Sequence, residues 1–292
     1  MSKSVALVLS SGGARGVAHI GVIEALLEAG YEITSISGSS MGAVVGAVYA
    51  AGKLNEYKDW VCNFDKIDVF KLIDFTLSTQ GFVRGDRVFN EMKKFIPDCN
   101  IEDLSIPFAA VATDIVNRRE VVFTSGSVFG ALRASAAIPS VMKPAVINDI
   151  ELVDGGVLNP IPIDCVQRSN DDILVVSDVN AAIPAPVKNK QLDHKGRFSP
   201  LVEKWNSFFP KVTHKQRRLS YFDLIAKSGD LMQDRISEYI LAQTKPEILV
   251  RISRETCGTF EFYRSNELID CGKEEFLKSL EHALQGVESD AG

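Results

Sequence analysis

Residues 4–9, SVALVL, run directly into SSGGARG and then into VAHIGVIEALLEAG (17–30). An apolar stretch without polar alternation suits a strand buried on both faces. The segment that follows carries Val17, Ile20, Ile23 and Leu26 on one stripe, with Gly30 placed to cap its C-terminus, and this predicts a helix. ITSIS (33–37) reads as a second strand, 38–42 as a sharp turn, and 41–51 as a helix of small residues. Strand, helix, strand, helix in so short a span demands a parallel sheet. Parallel neighbours need a crossover, and the crossover helices cover the sheet faces.

Further strands are expected at 108–114, 120–124, 173–179 and 247–252, and helices at 54–62, 86–95, 127–137, 217–242 and 273–285. Residues 181–215, rich in Lys, Pro and Asn, are the least regular and read as an insertion or flap. No interdomain linker stands out. One α/β domain over 1–292 is expected, with a core at about 5–180 and C-terminal helices and a strand at 216–286. At 292 residues, 46% of them hydrophobic, the chain can bury about 75% of its unfolded surface. A net charge of −6 and a pI near 5.4 argue against nucleic acid as the main partner. The densest apolar run, MGAVVGAVYAAG (41–52), is too short for the roughly 20 residues that span a bilayer. The start reads as a first strand and not as a signal peptide. Five scattered cysteines form no CxxC pair, which fits a reduced cytoplasmic setting and suggests no zinc site.

GSSMG (38–42) has the spacing of a nucleophile elbow, with Ser40 at its centre. A serine hydroxyl attacks a carbonyl only when it is exposed to substrate, relieved of its proton, and close to donors for the oxyanion. A tight strand-to-helix turn meets the first need, and the helix behind Ser40 offers the Met41 amide as an oxyanion donor. The other reading is a glycine-bearing turn with a bystander serine. SSGGARG (10–16) also has two readings. A dinucleotide loop would need glycine at 11, where Ser11 stands, and an acidic residue after the second strand, which is missing. An oxyanion loop instead turns the amides of Gly12 and Gly13 toward the neighbouring strand end, where Ser40 lies. Arg15 then steadies the loop or meets a phosphate head group, or else is a surface arginine at a helix start.

Four histidines are available as a base. His19 sits on the first helix and suits a packed or capping role. His194 and His214 lie in polar, basic stretches, and His282 in a C-terminal amphipathic helix. None stands at a strand end beside a turn. ELVDGGVLNPIP (151–162) differs, because a short strand at 151–153 delivers Asp154 into two glycines. That pattern is either an Asp-Gly hairpin turn or a carboxylate placed for close approach.

Taken together, the glycine loop with its basic residue, the G-x-S-x-G elbow and the D-G-G aspartate resemble the patatin-like phospholipase family. The likeness covers about 5–180, including LRASAAIPSVMKP (132–144), with an echo of bacterial members in YRSNELIDCGKEE (263–275). The resemblance implies a three-layer α/β fold, with a mainly parallel sheet covered by helices on both faces. It implies a lipid acyl hydrolase that uses a Ser–Asp dyad, no catalytic histidine and no metal or other cofactor. Ser40 then matches the nucleophile and Asp154 the general base. Gly12, Gly13 and Ala14 match the oxyanion loop, and Arg15 its basic residue. The family's loop opens on three glycines, and Ser11 replaces the first. A carboxylate with an ordinary pKa of about 3.9 accepts the serine proton as the tetrahedral intermediate forms, and an apolar pocket would raise that pKa toward its task. The alternative is a non-catalytic lipid- or acyl-binding protein on the same fold. PLVEKWNSFFPKVTHKQRR (200–218) sets Leu201, Trp205, Phe208 and Phe209 at helical spacing before four basic residues. This stretch either packs on the core or forms a peripheral membrane contact.

Overall fold

The computed structural model describes residues 3–72, 75–78, 81–83, 86–139, 141–185 and 221–290. Most of the expected flap at 181–215, the 200–218 stretch, His194 and His214 lie outside the described residues. β1 (Lys3–Leu9) pairs with β2 (Tyr31–Ser39) on one side and β9 (Ile173–Ala181) on the other. β10 (Ile248–Ser253) lies outside β9 and β5 (Phe108–Asp114) outside β2, and these five strands run parallel. β6 (Arg119–Phe123) and β8 (Ile150–Asp154) both pair antiparallel with β5, and β7 (Ala145–Ile147) pairs with β8. A separate ribbon joins β3 (Phe75–Ser78) to β4 (Gly81–Val83).

The helices are α1 (Ala18–Glu28), α2 (Met41–Ala50), α3 (Leu54–Cys62), α4 (Lys66–Leu72), α5 (Asp86–Met92), α6 (Val128–Ser135), α7 (Tyr221–Gln243) and α8 (Ser265–Asp290). Every side chain from Val5 to Leu9 is removed from water. Val5, Leu7 and Leu9 point into a core shared with Ile20, Ile23 and Leu26 of α1, Val44, Val45 and Val48 of α2, and Leu268 and Phe276 of α8. Val8 points the other way, onto Ile161, Ile163, Leu174 and Val176, against Ile240 and Leu241 of α7. The two-residue repeat of a strand thus divides one apolar run between two layers, which is why SVALVL carries no polar alternation.

Among the described residues the expected strands and main helices are present with ends shifted by a few residues, and positions 217–220 of the expected helix 217–242 lie outside them. α8 begins at Ser265, eight residues before the expected start at 273. α4, the β3–β4 ribbon and the three-residue β7 are additions, and strands of three or four residues are too short to leave a periodic signal.

α1 and α8 touch backbone to backbone. A Cβ at Gly21 would stand 1.9 Å from the Ile269 carbonyl oxygen, and one at Gly272 would stand 2.0 Å from the Ala18 carbonyl oxygen. At the rim of this contact Glu24 pairs with Lys273 at 2.8 Å and with Lys58 at 2.7 Å. Alanine is the better helix former by about 1 kcal/mol, so propensity alone would make Gly21→Ala and Gly272→Ala stabilising. Overpacking opposes this and costs about 1–3 kcal/mol, more where the obstacle is backbone. Each substitution is therefore expected to lower the urea midpoint. A raised midpoint in either variant would show that the helices can separate without loss.

Candidate active site

The sheet register brings Ser40 and Asp154 together. Residues 36–39 of β2 pair with 108–111 of β5, and residues 152–154 of β8 pair with 114–112 of the same strand. Both lie on the edge of β5 opposite β6, because β6 occupies the other edge from Ala110 to Asp114. β2 therefore climbs this edge and stops at Val111, while β8 descends it and stops at Ala112. Two strand ends meet head on, and the residue leaving each end is a serine or an aspartate.

Ser40 takes φ 55° and ψ −122° between the last residue of β2 and the first of α2. A non-glycine residue in that region carries a cost of about 1–3 kcal/mol and persists only when its surroundings hold it. The end of α6 supplies the hold. Ser40 N–H donates to Ser135 Oγ at 2.9 Å, and two residues on the Ala137 carbonyl accepts Asp154 N–H at 2.9 Å. One short segment thus anchors the backbone of both residues. Close packing completes the turn: a Cβ at Gly42 would lie 2.2 Å from the Leu9 carbonyl oxygen, and one at Gly155 would lie 2.1 Å from that of Val111.

The Ser40 hydroxyl donates to Asp154 Oδ2 at 2.5 Å, and Asp154 Oδ1 accepts Gly156 N–H at 2.8 Å. Both side chains are buried, so the strand-to-helix turn does not by itself give Ser40 the exposure expected of it. Burial pushes the Asp154 carboxyl from 3.8 up to about 6, while the Ser40 and Gly156 hydrogen bonds act in the opposite direction. A carboxylate of raised basicity, with one oxygen held and the other on a hydroxyl, can take up that hydroxyl's proton.

The glycine loop flanks this pair. Gly13 takes φ 55°, and a short 3-10 turn, Gly13–Val17, carries the chain into α1. Ala14 N–H is committed to the Thr259 carbonyl at 2.8 Å, so its amide anchors the loop. The amides of Gly12 and Gly13 have no acceptor among the described residues, and Met41 N–H opens the first turn of α2. Arg15 is turned inward and buried. Nη1 donates to the Cys257 carbonyl at 2.9 Å and Nη2 to Asn180 Oδ1 at 2.7 Å, while burial lowers its pKa. Burial and these two bonds rule out a surface arginine at the helix start, and the arrangement is the steadying one.

His19 is fully buried beneath the loop. Its Nε2 lies 3.0 Å from the Ser10 carbonyl, which can only accept, so Nε2 carries the proton and Nδ1 accepts from Ser177 Oγ at 2.9 Å. Burial pushes its pKa down to about 4, leaving a neutral packed imidazole whose hydrogen bonds go to Ser10 and Ser177. His282 lies exposed on α8. Glu120, Asp164 and Cys165 bring ligand-type atoms within 4.8 Å of one another. The Asn159 amide donates to both of those carboxylates, at 2.9 and 3.0 Å, which supplies their compensation from within the chain. Among the described residues no helix is long and apolar enough to cross a membrane. Sequence reasoning gave no role to Ser135, although it lies inside the quoted 132–144 stretch, and did not single out Asn180, Gln233 or Thr259. Their partners are remote in sequence.

The sequence model of a family described as patatin-like phospholipase matches residues 7–165. An uncharacterized NTE family protein of Mycobacterium tuberculosis is 31% identical over 96% of this chain and 92% of its own length. A lysophospholipase of Coccidioides immitis is 28% identical over 96% of this chain, which spans only 18% of that protein. Among solved structures, VipD from Legionella pneumophila superposes with a TM-score of 0.51 at 14% identity, covering 97% of this chain and 67% of that one. That likeness is one of fold.

The raised carboxyl also sets a stability dependence. Between pH 3.8 and about 6 the folded chain keeps the Asp154 proton and the unfolded chain releases it. This group's contribution is full below that window and is lost as pH rises through it, by about 3 kcal/mol in total. Asp154→Asn leaves Oδ1 to accept from Gly156 and gives Ser40 an amide donor, with no charge to bury. The variant is expected to exceed the wild type in stability at pH 8 by up to about 3 kcal/mol, with the gap closing toward pH 4. Urea unfolding at the two pH values measures this, and a gap independent of pH would contradict it.

Proposed function

The chain belongs to the patatin-like phospholipase family, and from that premise we propose that it is a serine hydrolase of fatty-acyl lipid esters, with Ser40 as nucleophile and Asp154 as general base. The observation that carries the reading is the 2.5 Å hydrogen bond from the Ser40 hydroxyl to a buried carboxylate, at a strand-to-helix turn beside backbone amides that have no acceptor among the described residues. The name lysophospholipase borne by a relative fits a lipid ester as substrate. We read residues 1–292 as one catalytic unit, a view supported by β10 and α8 completing the sheet and the layer that carry the site.

In this mechanism Ser40 Oγ attacks the ester carbonyl carbon and its proton passes to Asp154 Oδ2. The oxyanion lies against the amides of Gly12 and Gly13 and of Met41 at the positive end of α2. Collapse breaks the acyl–oxygen bond of the ester. The departing alkoxide takes the proton from Asp154 and leaves an acyl group on Ser40. Water then attacks the acyl-enzyme, gives a proton to Asp154, and the fatty acid departs as Ser40 recovers its hydrogen. A carboxylate has no tautomer to be fixed, so the Gly156 amide performs the orienting task that a third residue performs for histidine.

Ser40→Ala and Asp154→Asn are each expected to lower kcat on a short-chain ester more than about 10³-fold while remaining folded. A fluorophosphonate probe should label Ser40 in the wild type. Absence of labelling together with retained lipid binding would favour the non-catalytic reading.

The pH–rate profile is the second test. Activity should rise through about pH 6 as Asp154 ionises. His282→Ala should leave that limb and kcat unchanged, since His282 stands exposed on α8 and is not among the hydrogen-bond partners of either residue. A limb that vanished on replacing a histidine in a folded variant would restore a histidine base.

A further inference from the structure

Asp154 sits at the head of a turn built from Gly155 and Gly156, which have no side chains with which to stiffen it. β5 restrains one side of this turn, through the close approach of Gly155 to the Val111 carbonyl. The other side is met by α7, beyond the segment that the family model matches. Gln233 Nε2 donates to the Gly156 carbonyl at 2.8 Å, and Gln233 Oε1 accepts from Asn180 Nδ2 at 3.4 Å. Asn180 Oδ1 in turn accepts Arg15 Nη2 at 2.7 Å, which reaches the glycine loop. The fit is close: a Cβ at Gly156 would lie 3.0 Å from Gln233 Nε2 and 2.8 Å from Ser11 Oγ. α7 is itself fixed at this level, because Asp234 pairs with Arg254, whose Nη2 also donates to the Asn180 carbonyl at 3.0 Å.

We propose that Gln233 is a positioning residue for the Ser40–Asp154 pair: it pins Gly156 so that the Gly156 amide holds one oxygen of Asp154 and aims the other at Ser40, and through Asn180 it joins this turn to the Arg15 loop. The inference rests on the reading of Ser40 and Asp154 given above. Gln233 touches neither the reacting hydroxyl nor the carboxylate and acts on both through backbone. Its amide is suited to the task because it donates to Gly156 with one atom and accepts from Asn180 with the other. A methionine of similar length fills the space and does neither.

Loosening Gly156 has two consequences of known direction. The aspartate samples orientations from which proton transfer fails, which lowers kcat without changing the affinity for an ester. The Gly156 amide also stabilises the ionised carboxylate less, so ionisation moves to higher pH.

The test is Gln233→Met, assayed on a soluble short-chain ester across pH 4.5–9 (about the range that brackets Asp154 ionisation). The expected result is a kcat lower by about 10- to 100-fold with KM within about twofold, and an acid limb displaced upward. A purely structural role would lower the unfolding midpoint and the folded fraction, and would leave the limb and the activity per folded molecule intact. That outcome overturns the proposal, as does a wild-type kcat. Should Gln233→Met not fold, Asn180→Ser removes the far half of the bridge and is expected to shift the limb in the same direction with a smaller loss of kcat. An unshifted limb there refutes the bridge. The underlying reading fails separately, if Ser40→Ala keeps its activity in the wild-type background.

Discussion

Backbone pairing along a single edge of β5 governs the geometry of the site. β2 and β8 divide that edge between adjacent residues, Val111 and Ala112, and approach each other from opposite directions. A strand advances about 3.3 Å per residue, so a register slip of one residue in either partner would separate Ser40 from Asp154 by a full step and turn the side chains to the other face. The pleat and ladder of β5 therefore fix a 2.5 Å contact between residues 114 positions apart. The end of α6 reinforces the same distance by accepting the amides of Ser40 and Asp154, through Ser135 and Ala137.

That arrangement is unfavourable in itself. Ser40 is held at positive φ, and Asp154 keeps a carboxylate out of water at neutral pH. The hydroxyls of Ser39 and Ser11 are also buried without a hydrogen-bond partner among the described residues, and they lie against Gly155 and Gly156. The rest of the molecule offsets these costs. The buried run Val5–Leu9 of β1 is divided between two apolar layers, and α1 and α8 are in backbone contact. Strain concentrated at a small polar site and stability gathered in the apolar layers is a common division of labour in enzymes.

Arg15 and His19 show how burial reassigns polar residues. Both flank the glycine loop, and each could be taken from its residue type for a ligand or a base. Enclosed in protein, Arg15 uses its guanidinium to tie the loop to the Cys257 carbonyl and Asn180, and His19 stays neutral between Ser10 and Ser177. The same enclosure takes the Ala14 amide for Thr259 and leaves those of Gly12 and Gly13 without an acceptor among the described residues. The loop is held from beneath by polar contacts, and its glycines remain available above.

By itself the sequence determined the parallel α/β layering, the turn at Ser40, the glycine loop and the aspartate before two glycines. Each of these is a local signal: the period of an apolar run, a residue that must lack a Cβ, a short spacing within one loop. It did not determine which way Arg15 turns, that Ser135 would receive the Ser40 amide, or that Gln233 would reach Gly156. Taken alone, the 151–162 stretch also read more readily as an ordinary hairpin turn than as a placed carboxylate. Those matters were decided by strand register and by helix docking, which join residues far apart in the chain. Burial followed from them and moved the Asp154 carboxyl up to about 6, because desolvation depends on everything that surrounds a group and on nothing in its own few neighbours along the chain.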